Sequence, residues 1–251
     1  MKEWQYEVIM SVIFTIRICD VPIEVCCIHE ACKNFLANYL TEDKPAMRID
    51  SSWKDIDEMR SLFKKEDPSL LHSDGFLEIN AVHKLLCESL LEKDVVMMHG
   101  SALAMDGECY IFSAPSGTGK STHSRLWRQA FGDRVVMIND DKPMIRFIDG
   151  KPFVYGTPWD GKHHLSMNTS APLKSIVMID RGTKNLIEPL ADNERLLLLM
   201  RQTYRPKDKM KMQKLLVLYD KLISTCRFYH LRCNMEEKAA IIAYEGMKET
   251  K

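Results

Sequence analysis

The chain has 251 residues, of which 45% are hydrophobic and 28% charged, a composition typical of a soluble globular protein with one large or two small domains. Thirty-five Lys and Arg balance thirty-five Asp and Glu, so the formal net charge is zero. Proteins that coat nucleic acid normally carry a basic excess, and the balance therefore argues against general nucleic-acid binding.

The eight cysteines are scattered, without a C-x-x-C pair or a histidine at zinc-finger spacing, which argues against a disulfide framework and a zinc finger. No apolar run approaches the roughly 18 residues of a membrane span. The apolar stretch at 8–16 lacks the basic start and the cleavage site of a signal peptide. We therefore expect a cytoplasmic protein with reduced thiols, and no membrane among its partners.

Residues 1–92 predict an N-terminal α/β region in which no motif proposes chemistry. β-Branched and aromatic residues favour strands, and apolar residues three or four positions apart favour helices. The predicted elements are strands at 6–20 and 23–27 and helices at 31–40, 50–65 and 76–92. Because no low-complexity linker separates this region from the rest, we expect it to pack on the core as a layer of one fold.

The most informative stretch begins with two strand-like runs, at 95–105 and 108–113, which flank an Asp-Gly pair that predicts a hairpin. Directly after them comes Ala-Pro-Ser-Gly-Thr-Gly-Lys-Ser at 114–121, followed by a predicted helix at 122–131. This segment fits the Walker A pattern with Ala114 in place of the first glycine. The strand–loop–helix context predicts a phosphate-binding loop, and a glycine-rich turn without a ligand is the weaker alternative.

Such a loop binds phosphate through its backbone. Gly117 and Gly119 let successive amide groups point at phosphate oxygens, and the helix start adds a positive end. Lys120 is expected to reach the β- and γ-phosphates, and the Ser121 hydroxyl to ligate Mg²⁺, so we expect ATP and Mg²⁺ as cofactors. The predicted nucleotide-binding residues are Ser116, Gly117, Thr118, Gly119, Lys120, Ser121 and Thr122.

A short apolar strand at 134–139 ends in Asp140 and Asp141. A carboxylate at the end of a strand beside a phosphate loop suits Mg²⁺ coordination, and a second one can take a proton from an incoming hydroxyl. Neighbouring side chains of a strand point to opposite faces, so both can act only if the chain turns here. A solvated turn is the alternative, because Asn-Asp-Asp also favours loops.

The remaining pattern predicts a second hairpin, at Asp149-Gly150, and a polar loop at 156–164 that contains Trp159. In this loop Lys162 is our predicted acceptor-side cation, with Arg205 in reserve, and a plain surface turn is the alternative. The other predicted elements are strands at 145–148, 153–155, 174–180 and 227–233, helices at 193–203 and 207–224, and a last helix opened by a capping box at 234–237.

Three motifs in this order, His99-Gly-Ser, the segment 113–122 and Asn139-Asp-Asp, resemble the catalytic domain of the HPr kinase/phosphorylase family. The wider superfamily includes ATP-dependent phosphoenolpyruvate carboxykinase. The resemblance covers roughly 95–165, and it implies an α/β fold with a P-loop phosphoenolpyruvate carboxykinase/HPr kinase-like core, in which a mixed sheet is flanked by helices. It also implies that 93–251 is an HPr kinase-like nucleotide-binding catalytic domain.

The resemblance implies roles for individual residues. Asp140 would be the base on an acceptor serine, Asp141 would hold the metal together with Ser121, and His99 would tune the protonation of the acidic pair. The predicted catalytic set is therefore Asp140, His99, Lys120 and Lys162. The family's carboxy-terminal signature has no counterpart in this sequence, so the resemblance does not extend to the phosphorylase reaction.

The predicted function is transfer of the γ-phosphate of ATP to a hydroxyl, with serine of a protein or peptide preferred. Two alternatives stay open: a small-molecule kinase of the same fold, and a nucleotide-binding regulatory protein without turnover. The paired aspartates argue against the second, because nucleotide sensing needs no base. A carboxykinase is the weakest alternative, since that fold is about twice as large. The expected partners are a nucleotide and the protein or peptide substrate, with a homo-oligomer left open.

Overall fold

The computed structural model describes residues 11–248, and the chain divides into two compact units, Met1–Ser89 and Leu90–Lys251. Residues 6–10 of the first predicted strand lie outside the described part. Among residues 11–248, no helix combines the length and the hydrophobicity that crossing a membrane requires.

The first unit contains a three-stranded sheet in which β1 and β2 form an antiparallel hairpin and β3 pairs with β2 in parallel. Both predicted strands and all three predicted helices are present, with bounds that differ by a few residues. The elements are β1 (Val12–Ile18), β2 (Val21–Cys27), α1 (Glu30–Phe35), β3 (Met47–Asp50), α2 (Trp53–Glu66) and α3 (Asp74–Ser89). No pattern predicted β3, because a four-residue edge strand is too short to show alternation.

A fully buried carboxylate, Glu78 of α3, accepts hydrogen bonds from the segments that follow β2 and β3. Its Oε1 accepts hydrogen bonds from the Ile28 amide at 2.7 Å and from the Ser51 hydroxyl. Its Oε2 accepts from the His29 amide at 2.8 Å and lies 2.7 Å from His29 Nδ1. Burial raises the pKa of Glu78, but these hydrogen bonds outweigh it and hold the pKa below its ordinary value.

The second unit is built on a nine-stranded mixed sheet in which β10 lies parallel to β6 and β12, whereas the other pairs are antiparallel. Its strands are β4 (Val95–Met97), β5 (Ser101–Met105), β6 (Glu108–Ser113), β7 (Val135–Asn139), β8 (Met144–Ile148), β9 (Lys151–Tyr155), β10 (Ser170–Arg181), β11 (Leu186–Pro189) and β12 (Arg227–Cys233). Its helices are α4 (Lys120–Phe131), α5 (Asp192–Gln202), α6 (Lys209–Thr225) and α7 (Lys238–Lys248).

Helices cover both faces of this sheet, and alternate residues of the central strand β10 enter two separate cores. Ile176 packs in the core that contains α5 and α6, whereas Val177 packs in the core that contains α4 and α7. This alternation is the period of two expected for a strand buried on both faces. The predicted α/β fold with a mixed sheet flanked by helices is confirmed, whereas a phosphate-binding core stays a prediction.

Two local predictions were wrong. The run at 95–105 is not one strand: it breaks at His99-Gly100, because β4 pairs with β8 while β5 pairs with β6 and β7. The capping box at 234–237 does not open the last helix, which begins at Lys238. The side chain of Asn234 instead accepts the amide of Glu236 at 3.0 Å, two residues along, and this local turn delays the helix.

The strand directions bring the carboxyl ends of four strands to one edge of the sheet. β10 and β12 run parallel to β6, and β7 runs in the same direction because β5 is antiparallel to both β6 and β7. In α/β sheets, ligands bind outside the carboxyl ends of the strands. The Walker A-like segment follows β6 and the aspartate pair follows β7, so both lie at this edge.

Candidate functional site

The Walker A-like segment forms a tight turn that leads directly into α4. Gly117 has φ 76° and Gly119 has φ 131°, in the region that favours glycine. A Cβ at either position would meet nothing within 4 Å, so backbone conformation, and not space, requires these glycines. The N-terminus of α4 at Lys120 carries no side-chain cap, so its first amide groups remain available as donors.

The Lys120 side chain is folded back beneath this turn, where only 9% of it is exposed. Its Nζ donates to the backbone oxygen of Ala114 at 2.9 Å, its one hydrogen-bond partner in the described chain. Burial lowers the pKa of Lys120, and the nearby Asp141 carboxylate acts in the opposite direction. A buried ammonium with two unused N–H donors suits an anionic ligand in the turn.

The chain turns at the end of β7, as joint action of the two aspartates requires. The Oδ1 atom of Asn139 accepts the amides of Asp141 and Lys142 at 2.8 and 2.7 Å. Its Nδ2 donates to the backbone oxygen of Thr157 at 2.9 Å. The fully buried Asn139 side chain therefore shapes the turn and fastens it to the loop that follows β9.

Asp140 is buried and is held by that same loop. Its Oδ1 accepts the Gly161 amide at 2.6 Å, and the Ser101 hydroxyl donates to its backbone oxygen at 3.2 Å. A Cβ on Gly161 would lie 2.7 Å from Asp140 Oδ2, so glycine is required for this approach. The loop at 156–164 therefore positions a carboxylate, and the buried Trp159 anchors it.

Asp141 has different partners from its neighbour. Its Oδ1 lies 3.2 Å from Nε2 of His99, and its Oδ2 pairs with the ammonium of Lys142. Burial raises the pKa of Asp141, but these two groups outweigh it and keep the pKa well below its ordinary value. The Nδ1 atom of His99 lies 3.2 Å from Oε1 of Gln202, which orients the ring. His99 therefore contacts the second aspartate of the pair.

Two cavities meet at the start of α4. The first, of about 460 Å³, is lined by residues that include Gly117, Thr118, Gly119, Thr122, Arg181 and Met235. The second, of about 520 Å³, is lined by residues that include Ser121, Thr122, Arg125, Arg128, Asp140 and His163. Thr122 borders both, so the first turn of α4 separates the two spaces. Both volumes lie within the range of small-ligand sites.

Three other predicted residues are exposed to solvent. Ser116 is exposed at the tip of the turn. Lys162 is exposed next to Gly161, and it belongs to the lining of neither cavity. Arg205 is exposed between α5 and α6. Of the predicted set, His99 contacts Asp141, the Asp141 carboxylate acts on the pKa of Lys120, and Ser121 and Asp140 line the second cavity.

Sequence reasoning missed several side chains at this edge. Arg181, at the end of β10, donates to the backbone oxygens of Gly117 at 2.6 Å and Thr118 at 3.2 Å. The sequence signal for Arg181 was its position at the end of a predicted buried strand. Arg125 and Arg128 share a face of α4 with Ser121, at helical spacings of four and seven residues, and this spacing could have assigned them to the site.

His123, which the sequence analysis also missed, lies on the buried side of α4. It is almost fully buried, its Nε2 accepts from Nε1 of Trp127 at 3.0 Å, and its ring packs against Phe112 of β6. Burial lowers the pKa of His123 to about 3, so the ring is neutral at physiological pH.

The residues present fit a nucleotide phosphate and Mg²⁺. An uncapped helix start, open glycine positions and a buried ammonium without a contacting carboxylate suit a phosphate. The oxygen donors Ser121 and Asp141 are the type that Mg²⁺ prefers. Ser121 lines the second cavity with Asp140, whereas Asp141 lines neither cavity and is paired with His99 and Lys142, so joint binding of Mg²⁺ by Ser121 and Asp141 stays a prediction.

No protein-family model and no curated protein matches the chain. Among solved structures, the chain is similar to the Hpr(Ser) kinase/phosphatase from Coxiella burnetii, with 10% sequence identity and a TM-score of 0.34. The match covers 61% of this chain and 97% of that chain. A structural similarity this distant identifies no activity, so the functional conclusion depends on the geometry of the site.

Proposed function

We propose that this protein is an ATP- and Mg²⁺-dependent kinase that transfers the γ-phosphate to a hydroxyl, with serine of a protein or peptide as the preferred acceptor. The observation that carries the proposal is the position of the first turn of α4 between two cavities, one bordered by the glycine turn and the other by Asp140. Transfer between two ligands requires this arrangement of a nucleotide side and an acceptor side.

The first cavity is the nucleotide side. Phosphates bound in the turn would accept hydrogen bonds from the free amides at the start of α4, and Lys120 would donate its two unused N–H groups to them. The nucleoside would occupy the space beside Arg181 and Met235. Ser121 and Asp141 would hold Mg²⁺, which supplies positive charge to the β- and γ-phosphates.

The second cavity is the acceptor side. The buried Asp140 carboxylate is fixed by the Gly161 amide and reaches this space, so it can accept the proton of an incoming hydroxyl. As that oxygen bonds to the γ-phosphorus, the bond from the γ-phosphorus to the bridging oxygen breaks and ADP leaves. Lys162 stays the predicted acceptor-side cation, because its loop already contacts the base through Gly161.

A small-molecule kinase is the second candidate, and the volume of the second cavity is compatible with it. About 520 Å³ is enough for a small hydroxyl compound as well as for a few peptide residues. The preference for serine follows from the resemblance of the three motifs to the HPr kinase/phosphorylase family.

The test is transfer of label from γ-³²P-ATP to a peptide library with serine at a fixed central position, and to a panel of small hydroxyl compounds. We expect peptide labelling by the wild type and a drop of about 10²- to 10⁴-fold in Asp140→Asn, with ATP still bound. Labelling of small compounds alone would select the second candidate. ATP binding without transfer to any probe would contradict the kinase proposal.

A further inference from the structure

The acceptor cavity carries two arginines that the proposed reaction does not use. Arg125 and Arg128 line it together with Asp140, and no carboxylate of the described chain pairs with either guanidinium. Within residues 11–248, the one hydrogen-bond partner of Arg125 is the neutral amide of Gln129, at 3.2 Å. By contrast, Arg134, just beyond the same helix, pairs with Asp106 at 2.6 Å.

We propose that the acceptor carries an anionic group, a carboxylate or a phosphate, close to its reactive hydroxyl, and that Arg125 and Arg128 bind this group. The inference rests on the proposed kinase function and names the substrate class of the same site. Its occupant is an acidic peptide segment that contains the acceptor serine.

Electrostatics of the cavity support an anionic acceptor. Any acceptor must approach the carboxylate of Asp140 and the phosphates of the nucleotide, and both repel an anion. A neutral or cationic acceptor would not need two unpaired guanidiniums in the lining of the same cavity. Guanidinium groups bind carboxylate and phosphate through paired hydrogen bonds, so they can offset this repulsion and also select the acceptor.

With the acceptor hydroxyl placed at the Ser121 end of the cavity, helix geometry sets the distance from this hydroxyl to the anionic group. Arg125 lies four residues and Arg128 seven residues after Ser121 on α4, which is about 6 and 10 Å along the helix axis at 1.5 Å per residue. An extended peptide advances about 3.3 Å per residue. The anionic group is therefore two or three positions from the acceptor serine.

The test is a positional scan of the serine-centred library, in which each flanking position is fixed in turn as Glu, Gln or Lys. For the wild type we expect Glu to be preferred to Gln by about tenfold at a position two or three residues from serine. The double variant Arg125→Gln/Arg128→Gln should lose this preference and keep its ATP affinity in calorimetry. The control Arg227→Gln, an exposed arginine that lines neither cavity, should retain the preference.

The other outcomes distinguish failure of this inference from failure of the kinase proposal. Equal labelling of Glu and Gln peptides, a preference for Lys, or a Glu preference that survives in the double variant would overturn the inference while the kinase proposal stands. Loss of ATP affinity in the double variant would also overturn it, because the arginines would then serve the nucleotide. Labelling of glycerate and glycerol 3-phosphate, but not of glycerol or peptides, would place the anionic group on a small molecule. Loss of this labelling in the double variant would support binding of that group by the two arginines. Absence of transfer to every probe would overturn the kinase proposal, and the inference with it.

Discussion

Asp140 and Asp141 are neighbours in the chain, yet their side chains have different surroundings. Asp140 accepts one backbone amide and borders the acceptor cavity, whereas Asp141 is paired with two cationic or protonatable side chains near Lys120. The Asn139 side chain shapes the chain at this point, because its Oδ1 accepts the amides of Asp141 and Lys142 where β7 ends.

We expect Asp141→Asn to raise the Mg²⁺ concentration needed for half-maximal ATP binding by about tenfold or more, because an amide is a weaker Mg²⁺ ligand than a carboxylate. ATP affinity without Mg²⁺ should change little. Titration of Mg²⁺ in calorimetry checks this, with Asp133→Asn, an exposed carboxylate after α4, as the control. An unchanged Mg²⁺ requirement would remove Asp141 from the metal site.

Gly161 is a second residue whose role is set by one contact. In Gly161→Ala the new Cβ would lie 2.7 Å from Asp140 Oδ2, so the carboxylate must move. We expect turnover to fall by about 10²-fold with ATP affinity retained, because small displacements of a positioned group are costly in catalysis. His164→Ala, on the same loop but paired with Asp160 at 3.0 Å, is the matched control and should change turnover little. Equal effects of the two variants would show that the loop does not position the base.

At the scale of elements, β10 connects the sheet to the glycine turn. It lies beside β6 in parallel, so its last residue, Arg181, reaches the turn that follows β6. The two carbonyl groups that accept from Arg181 belong to Gly117 and Thr118, which line the first cavity together with Arg181. The strand therefore restrains the turn before any ligand arrives.

We expect Arg181→Gln to lower ATP affinity about three- to tenfold, because the turn loses two hydrogen bonds that hold its shape. Hydrogen exchange of the amides at 116–119 should become faster in the same variant, while the helix amides of α4 keep their protection. The control is again Arg227→Gln. If exchange in the turn stayed at the wild-type rate, Arg181 would contact the turn without restraining it.

The elements that sequence reasoning predicted best have strong local patterns. The last strand was expected at 227–233 and is observed at Arg227–Cys233. The two Asp-Gly hairpins are present, and Asp106, Gly107, Asp149 and Gly150 all have positive φ. The four-residue strands β3 and β11 were missed, because their neighbours in the sheet define them and their own pattern does not.

In the candidate site, too, residues in contiguous local motifs were easier to predict than residues placed by their neighbours in the fold. The glycine turn, Lys120 and the aspartate pair could be predicted because they form contiguous motifs at the ends of strands. Arg181 and the two arginines of α4 have only weaker signals, the end of a strand and a helical spacing from Ser121, because their places in the site also depend on the sheet order. The break at His99 was hidden for a similar reason: the run at 95–105 is apolar on both sides of it.

At the scale of the whole molecule, the two units depend on different interactions. The second unit buries two large apolar cores on the faces of its sheet. The first unit has a smaller apolar cluster around Ile56 and Leu77, and it relies in addition on the four hydrogen bonds to Glu78. A buried carboxylate whose acceptor positions are all used is costly to remove, because its donors then lack partners.

We expect Glu78→Gln to destabilise the first unit by about 1–3 kcal/mol at pH 7, because an amide group would face donors that need acceptors. The folded-state pKa of Glu78 is lowered, so the carboxylate contributes stability above its unfolded pKa and loses it as the pH falls through the folded value. The difference between wild type and variant should therefore shrink toward low pH. Hydrogen exchange of the Ile28 and His29 amides measures it, with the exposed Glu66→Gln as control. A difference independent of pH would contradict the role of the charge.

Binding of nucleotide phosphates by the glycine turn and Lys120 underlies the proposed function. Its most direct test is calorimetric titration of Mg·ATP into the wild type, Lys120→Ala and the control Lys151→Ala, whose lysine is exposed and lines neither cavity. We predict binding by the wild type and the control, and a loss of at least about tenfold in affinity for Lys120→Ala, because a buried ammonium contacting phosphate is removed. Equal affinities of wild type and Lys120→Ala, or no binding of Mg·ATP by the wild type, would contradict the claim.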